Sequence, residues 1–558
     1  MKKTIFLLAL SANALLFSQW TTNYNVNTLV SNGVTSDIST KGTSDGQTYV
    51  MFWDESAGAN NYVPKLQLLD AGGNKKFGVD GMVVNTVAPM STFTYIGSET
   101  VDAQNNIYIG FTASGNSHGF IHKISPAGTQ LLGASGLDLG ENVYNIKMYP
   151  TEDGGFYAGW SGNDGATMMK YSSTGTPLWD MPKVIAPPVS SQYTEFGEAA
   201  VLSDGSFLTM YHVKNVPWTI DANFWAMRYD TNGNALWANA VQLSDRISAY
   251  NRSYSVKQDG DVTYLGYFGV NPSNNFDSFI QRINADGTLP WGLNGTDFST
   301  ANTYYEMETS VGFQPGSNVI WSVVTTSNFN QSQFGTAIQK FDKTTGQRQL
   351  TDAAKVVYAI SNLMNTPEGN LEISDNKPVF LTSMGYNVGP SSPTEYAFTN
   401  LDEMGEYINP TGYIKIGTAP GTNKWRAGVS KVFNNQIVAV WAETRDQATG
   451  SHAYAQNVNL ADFSLAVNNT QKISLEYYPN PVVDYLNISS KEKIFSISVY
   501  NAAGQMVKNE SFNGLNLKKM DARNLKAGIY LLKLQMENGK SSSIKIIKNK
   551  IYKTRLLH

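Results

Sequence analysis

The sequence predicts an all-β protein, and three observations carry that prediction. Charged residues make up only 15% of the 558, while aromatics reach 12% and glycine contributes 48. Asn, Ser, Thr and Gln supply much of the polar remainder, a mixture that suits short strands and tight turns rather than charged helices. Apolar and polar residues alternate over short runs bounded by Gly, Asn and Asp, which is the strand period. Finally, one unit recurs: a turn, an apolar strand, a polar loop, a strand holding a basic residue, and a glycine turn.

The best copies of that unit run from Gly154 to Gly175, Asp204 to Gly233 and Asp259 to Gly287, with Lys170, Arg228 and Arg282 as the basic residues. Closing glycines are expected at Gly72, Gly128, Gly175, Gly233, Gly287, Gly346 and Gly405, spaced 47 to 59 residues apart. An eighth unit begins at Asn434-Asn435. Four short strands fit this spacing, and a lone sheet cannot bury both faces. Radial packing of the sheets solves that problem. The region 19–465 is therefore predicted to be a β-propeller of about eight blades, or seven if one weak copy is misread. A β-solenoid is the competitor, but its coils are shorter. Trp179, Trp237 and Trp291 each follow a turn glycine by four residues and are expected to pack between blades. The repeats have a generic similarity to quinoprotein propellers and to the Asp-box of sialidases, and neither supplies a catalytic residue.

At the N-terminus, Lys2-Lys3, the apolar run from Ile5 and the small residues to Ser18 read as a signal peptide over 1–18. No later segment is long and apolar enough for a transmembrane helix after cleavage. The net charge of −4 argues against nucleic acid, and the absence of Cys excludes disulfides and thiolate chemistry.

After a linker at 466–472 the texture changes and lysine becomes frequent. Alternating strands over 473–550 predict a small antiparallel β-sandwich. Its motifs are Tyr478-Pro479-Asn480-Pro481, the turn ending at Gly504, and the Leu525–Tyr530 stretch with Gly528 and Tyr530. The region resembles the type A C-terminal sorting domain of the type IX secretion system of Bacteroidota. That resemblance implies the secretion machinery as partner, passage through the periplasm and across the outer membrane, and release or cell-surface attachment. The tail 551–558 departs from the family pattern.

Ligands of propellers gather where loops between second and third strands meet. The candidate binding residues there are Trp53, Asp54, Glu55, Trp160, Trp218, Asp221, Phe276, Asp277, Phe329, Glu443 and Arg445. Aromatic faces stack on sugar rings, and Asn or Asp match hydroxyls. The same residue types are also good loop and core formers. Two of Glu55, Glu443 and Asp54 could pair as hydrolytic carboxylates if first and last blades adjoin. His118 and His122 lack a third ligand at recognisable spacing, so no metal site is assigned. No cofactor is expected, although loop acids leave room for Ca²⁺. The reading favoured is an exported propeller that binds glycan or surface protein without catalysis. A secreted glycan hydrolase or lyase is the rival, and quinone-dependent oxidation a third.

Overall fold

Among the described residues of the computed structural model every regular element is a strand, and the chain divides into two compact units, Met1–Val467 and Asn468–His558. The structure describes residues 20–56, 62–86, 95–114, 117–217, 219, 221–249, 254–385, 394–420, 422–460, 464–465, 475–501, 506–536 and 541–549. The signal peptide, linker, C-terminal tail, Trp218 and Gly504 lie outside the described residues.

The first unit holds eight antiparallel sheets. Blades 1 to 7 are each contiguous in sequence, and their first strands are Thr35–Gly42, Tyr95–Val101, Tyr144–Pro150, Tyr193–Val201, Ser255–Asp259, Tyr305–Gly312 and Thr366–Ser374. Blade 8 is built from Asn423–Val429, Gln436–Asp446 and Gly450–Asn459, with Thr28–Leu29 from the N-terminus as its fourth strand. The first strand of blade 8 packs on that of blade 1 and on that of blade 7, so the ring closes at eight. Closure through a strand from the opposite end of the chain ties both termini of the ring into one ladder.

Each second strand is buried along almost its whole length, as in Thr48–Asp54 and Phe207–Lys214, because it lies between neighbours on both edges and both faces. Third strands of blades 1, 5, 6 and 8 carry a fully buried glutamine: Gln67, Gln281, Gln339 and Gln456. The Gln281 amide donates to the carbonyls of Leu243 and Gly292, both at 2.9 Å, and its oxygen accepts from Arg282 N–H. Such a side chain pairs loop backbone that would otherwise be buried unsatisfied.

The recurring turns adopt the left-handed backbone that favours glycine, with φ from 71 to 86° at Gly128, Gly175, Gly233, Gly287, Gly346 and Gly405. In blade 1 the position belongs to Gly73, not Gly72. Each Trp packs on the turn glycine of the following blade. A Cβ built on Gly287 would lie 3.1 Å from the Trp237 ring, and one on Gly233 would lie 3.2 Å from Trp179. Trp179 and Trp237 also donate to the Thr231 and Ala285 carbonyls at 3.0 and 3.1 Å. The basic residues of the third strands reach across the same seam. Arg228 donates to the Ala285 carbonyl and Arg282 to that of Lys343.

The second unit is one network of five strands: Leu475–Tyr478, Tyr485–Asn501, Met506–Asp521, Gly528–Met536 and Ser541–Lys548. The long strand Tyr485–Asn501 breaks register between Ser489 and Ile494 and changes partners there, so the sheet bends around its own core of Leu486, Ile497, Leu532 and Ile546. The Asn480 oxygen accepts from Ile547 N–H at 2.8 Å, and its amide donates to the Lys545 carbonyl at 3.1 Å. Val482 N–H completes the join to the last strand at 2.7 Å. The proline-flanked motif thus stitches the first strand of this unit to its last.

Candidate functional site at the axial mouth

The first strands line the axis, and seven of them break register against their second strand. In blades 1, 3, 6 and 8 two residues face one: Ser36-Asp37, Asn145-Ile146, Glu308-Thr309 and Arg426-Ala427 stand against Trp53, Trp160, Val324 and Trp441. Bulges of this kind bend a strand and re-aim its side chains. Asn145, Glu308 and Arg426 hold φ of 52, 54 and 52°, and Gly369 in blade 7 holds 70°. Glu308 and Arg426 are exposed although their strands line the axis.

Blades 7, 8 and 1 enclose a polar cavity of about 560 Å³ lined by Asp37, Glu368, Ser383, Tyr396, Trp425 and Arg426, among others. Arg426 pairs with Asp37 at 3.4 Å on its rim. Burial, and then the neighbouring Glu308, push the Glu368 carboxyl up to about 7. The Glu368 carboxyl has no hydrogen bond or ion pair with any described residue, while its backbone stands in register with Leu381. Among the described residues Glu308 accepts from the Thr325 hydroxyl alone, at 3.1 Å. Behind the cavity, Lys424 reaches Glu443 at 3.2 Å. Burial works to raise Glu443, but Arg445, Lys424, Thr422 and Trp441 outweigh it and hold the carboxylate below its usual range.

Across the axis, Lys147 lies 3.0 Å from Glu198 and 3.1 Å from the Tyr254 hydroxyl, and Tyr149 donates to the other Glu198 oxygen. Burial alone would lower Lys147; Glu198 outweighs it and keeps the ammonium charged. His212 packs on Phe224 at 4.1 Å, and neither of its ring nitrogens has a partner. Burial, then Lys147 and Lys214, push it down to about 3.

The structure distributes the sequence-based candidates unevenly. Trp53 and Trp160 are 3% and 5% exposed and stand opposite bulges, leaving no ring face for a ligand. Asp54 pairs with Lys65 at 2.5 Å and Glu443 is fully buried against Lys424 and Arg445, so the suggested hydrolytic pairing of these acids is not assembled. Glu55 sits beside Tyr62. Arg445 donates to the Asn25 carbonyl at 3.2 Å and to the Asn27 side chain, locking the N-terminal strand. Asp221 is exposed at the start of a third strand. Phe276 and Phe329 do come together, each edge-on to Tyr305, at 5.2 and 5.0 Å. Asp277 joins Asp297 and Glu306. Burial, with the other acids adding, pushes Glu306 up to about 8 and Asp297 to about 6. His118 lies between Asp138 and Glu141, and His122 is fully buried on Asn85 and Gln130. Among the described residues no group of three acids or histidines is arranged to hold a metal ion. Sequence reasoning missed Asp37, Glu308, Glu368 and Arg426. Their only signal was polar residues in short segments between loop and buried strand.

The fold and its mouth define an eight-bladed propeller carrying a C-terminal sheet domain. Residues 476–549 match the family described as a secretion system C-terminal sorting domain, and the second unit is a domain of that kind. Such a domain directs its protein to secretion or outer-surface attachment. No curated protein sequence matches the chain. Among solved structures, prolyl oligopeptidase B from Galerina marginata, bound to a 35mer substrate, is similar at 11% identity with a TM-score of 0.42, covering 75% of this chain and 56% of that one. A puromycin hydrolase mutant is similar at 12% identity and a TM-score of 0.38, over 74% and 59%. An endo-1,4-beta-xylanase from Bacteroides thetaiotaomicron gives 10% and 0.25, over 48% and 93%. This chain spans little more than half the length of those two peptidases.

Proposed function

We propose that this protein is exported through the periplasm by the type IX secretion machinery, after signal-peptide cleavage, and binds a ligand at the axial mouth. The site lies on blades 6 to 8 and 1 instead of on the loop aromatics. The observation that carries this reading is Glu368, a half-buried carboxylate on a cavity wall with no partner among the described residues. Burying charge without a partner is costly, and a bound ligand that supplies one offsets that cost. A glycan and peptide array probed with the secreted chain and with E368Q tests it. Binding that the variant loses supports the reading, and an empty array counts against it.

A second reading, secreted hydrolysis, is favoured by one observation. Glu368 near 7 beside an exposed Glu308 has the character of an acid–base carboxyl pair. Product analysis of every array ligand separates the two, since turnover abolished by E308Q would assign catalysis.

A further inference from the structure

Resting on that binding reading, we infer that the axial cavity takes the alkylammonium group of a lysine side chain on a peptide ligand. The wall is mostly polar, with Glu368 and Asp37, and the half-buried Trp425 and Ala427 supply its apolar part. An aliphatic stem ending in a cation matches both halves: methylenes cover apolar surface while the charged head finds a carboxylate. An indole face adds attraction for the cation.

The local charge has the right sign. Asp37 on the rim is already matched by Arg426, at 3.4 Å. Lys424, the other cation of the wall, is already held by Glu443 at 3.2 Å and the Thr422 hydroxyl at 2.8 Å. Glu368, with Glu308 as a like-charged neighbour, is therefore left without a cation among the described residues. An incoming ammonium relieves their repulsion and favours the ionised form of Glu368. An amino sugar fits less well, because its amine sits directly on a polar ring and it has no aliphatic stem to lay along Trp425.

The experiment is calorimetric titration of the full secreted chain with tri-lysine amide and with its fully side-chain-acetylated counterpart, which keeps the stem and loses the charge. At pH 8 and physiological salt the lysine peptide binds at least tenfold more tightly than the acetylated one. At pH 5.5 its affinity falls about tenfold, because Glu368 holds a proton there. E368Q abolishes both differences, while D164N, the same charge change in an exposed loop, alters neither. Should E368Q fail to fold, D37N on the rim replaces it, with a severalfold loss of affinity expected. Equal binding of the two peptides, an unchanged E368Q, or preference for a glucosamine oligomer would overturn the inference. If the peptides fail but the array yields a ligand lost in E368Q, only the lysine assignment falls. If the array is also empty, the binding reading falls with it.

Discussion

The Trp20 indole donates to the Ala71 carbonyl at 2.9 Å, and a Cβ on Gly73 would lie 3.0 Å from its ring. Trp179, Trp237 and Trp291 make the same contact with the turn glycines of blades 4, 5 and 6. Trp20 therefore supplies blade 8 with the seam residue that other blades carry in their own sequence. It stands eight residues before the strand Thr28–Leu29 that completes that sheet.

Trp20→Ala should destabilise the propeller by about 3–5 kcal/mol, the range for truncating a buried aromatic. Loss of a whole seam contact lowers the melting temperature of the ring and not of the sorting unit, so only the ring's transition moves on a calorimetric scan.

Gly287→Ala tests the turn itself. The residue holds φ of 86°, where a side chain costs about 1–2 kcal/mol, and the new methyl also meets Trp237. Urea unfolding should show a loss of that size or more, and an equal substitution at Gly260, with open space around it and φ of 58°, should cost only the backbone part.

These seams were legible in the sequence because a left-handed turn needs glycine and a wide blade gap needs a tryptophan, so composition alone marks the place. The ambiguity of Gly72-Gly73 arose from spacing, which cannot choose between adjacent glycines. The axial site was not legible. Two residues facing one at the bulges of Glu308 and Arg426 break the two-residue period by which strand faces are read, and only the closed ring brings Glu368 and Trp425 to the cavity that also holds Asp37.

His212 makes the propeller acid-labile. Its folded value of about 3 lies below the ordinary 6.5, so the unfolded chain binds the extra proton between those values. Stability should fall by up to roughly 1.4 kcal/mol per pH unit as pH drops below 6.5. His212→Phe removes that slope in denaturant titrations from pH 7 to 4.

Glu306 acts in the opposite direction. Its folded value near 8 exceeds the ordinary 4.5, so the folded state binds more protons in that window and loses stability as pH rises through it. Glu306→Gln should flatten the decline by up to roughly 1.4 kcal/mol per unit, read as a smaller fall in urea midpoint between pH 6 and 9.

Asn480→Ala removes two hydrogen bonds that join the ends of the sorting sheet, a loss of about 1–3 kcal/mol. The expected readout is cargo retained in the periplasm, with the propeller melting unchanged.

The closed ring is tested most directly by a cross-link at its seam. Thr28 and Ala455 are register partners, and the chain has no native cysteine to interfere. Opposed antiparallel positions lie within the Cα separation a disulfide spans. Oxidised T28C/A455C should become one loop of altered gel mobility that reverts on reduction, with a raised melting temperature. A protein that stays folded with both thiols free after oxidation would contradict closure by the N-terminal strand.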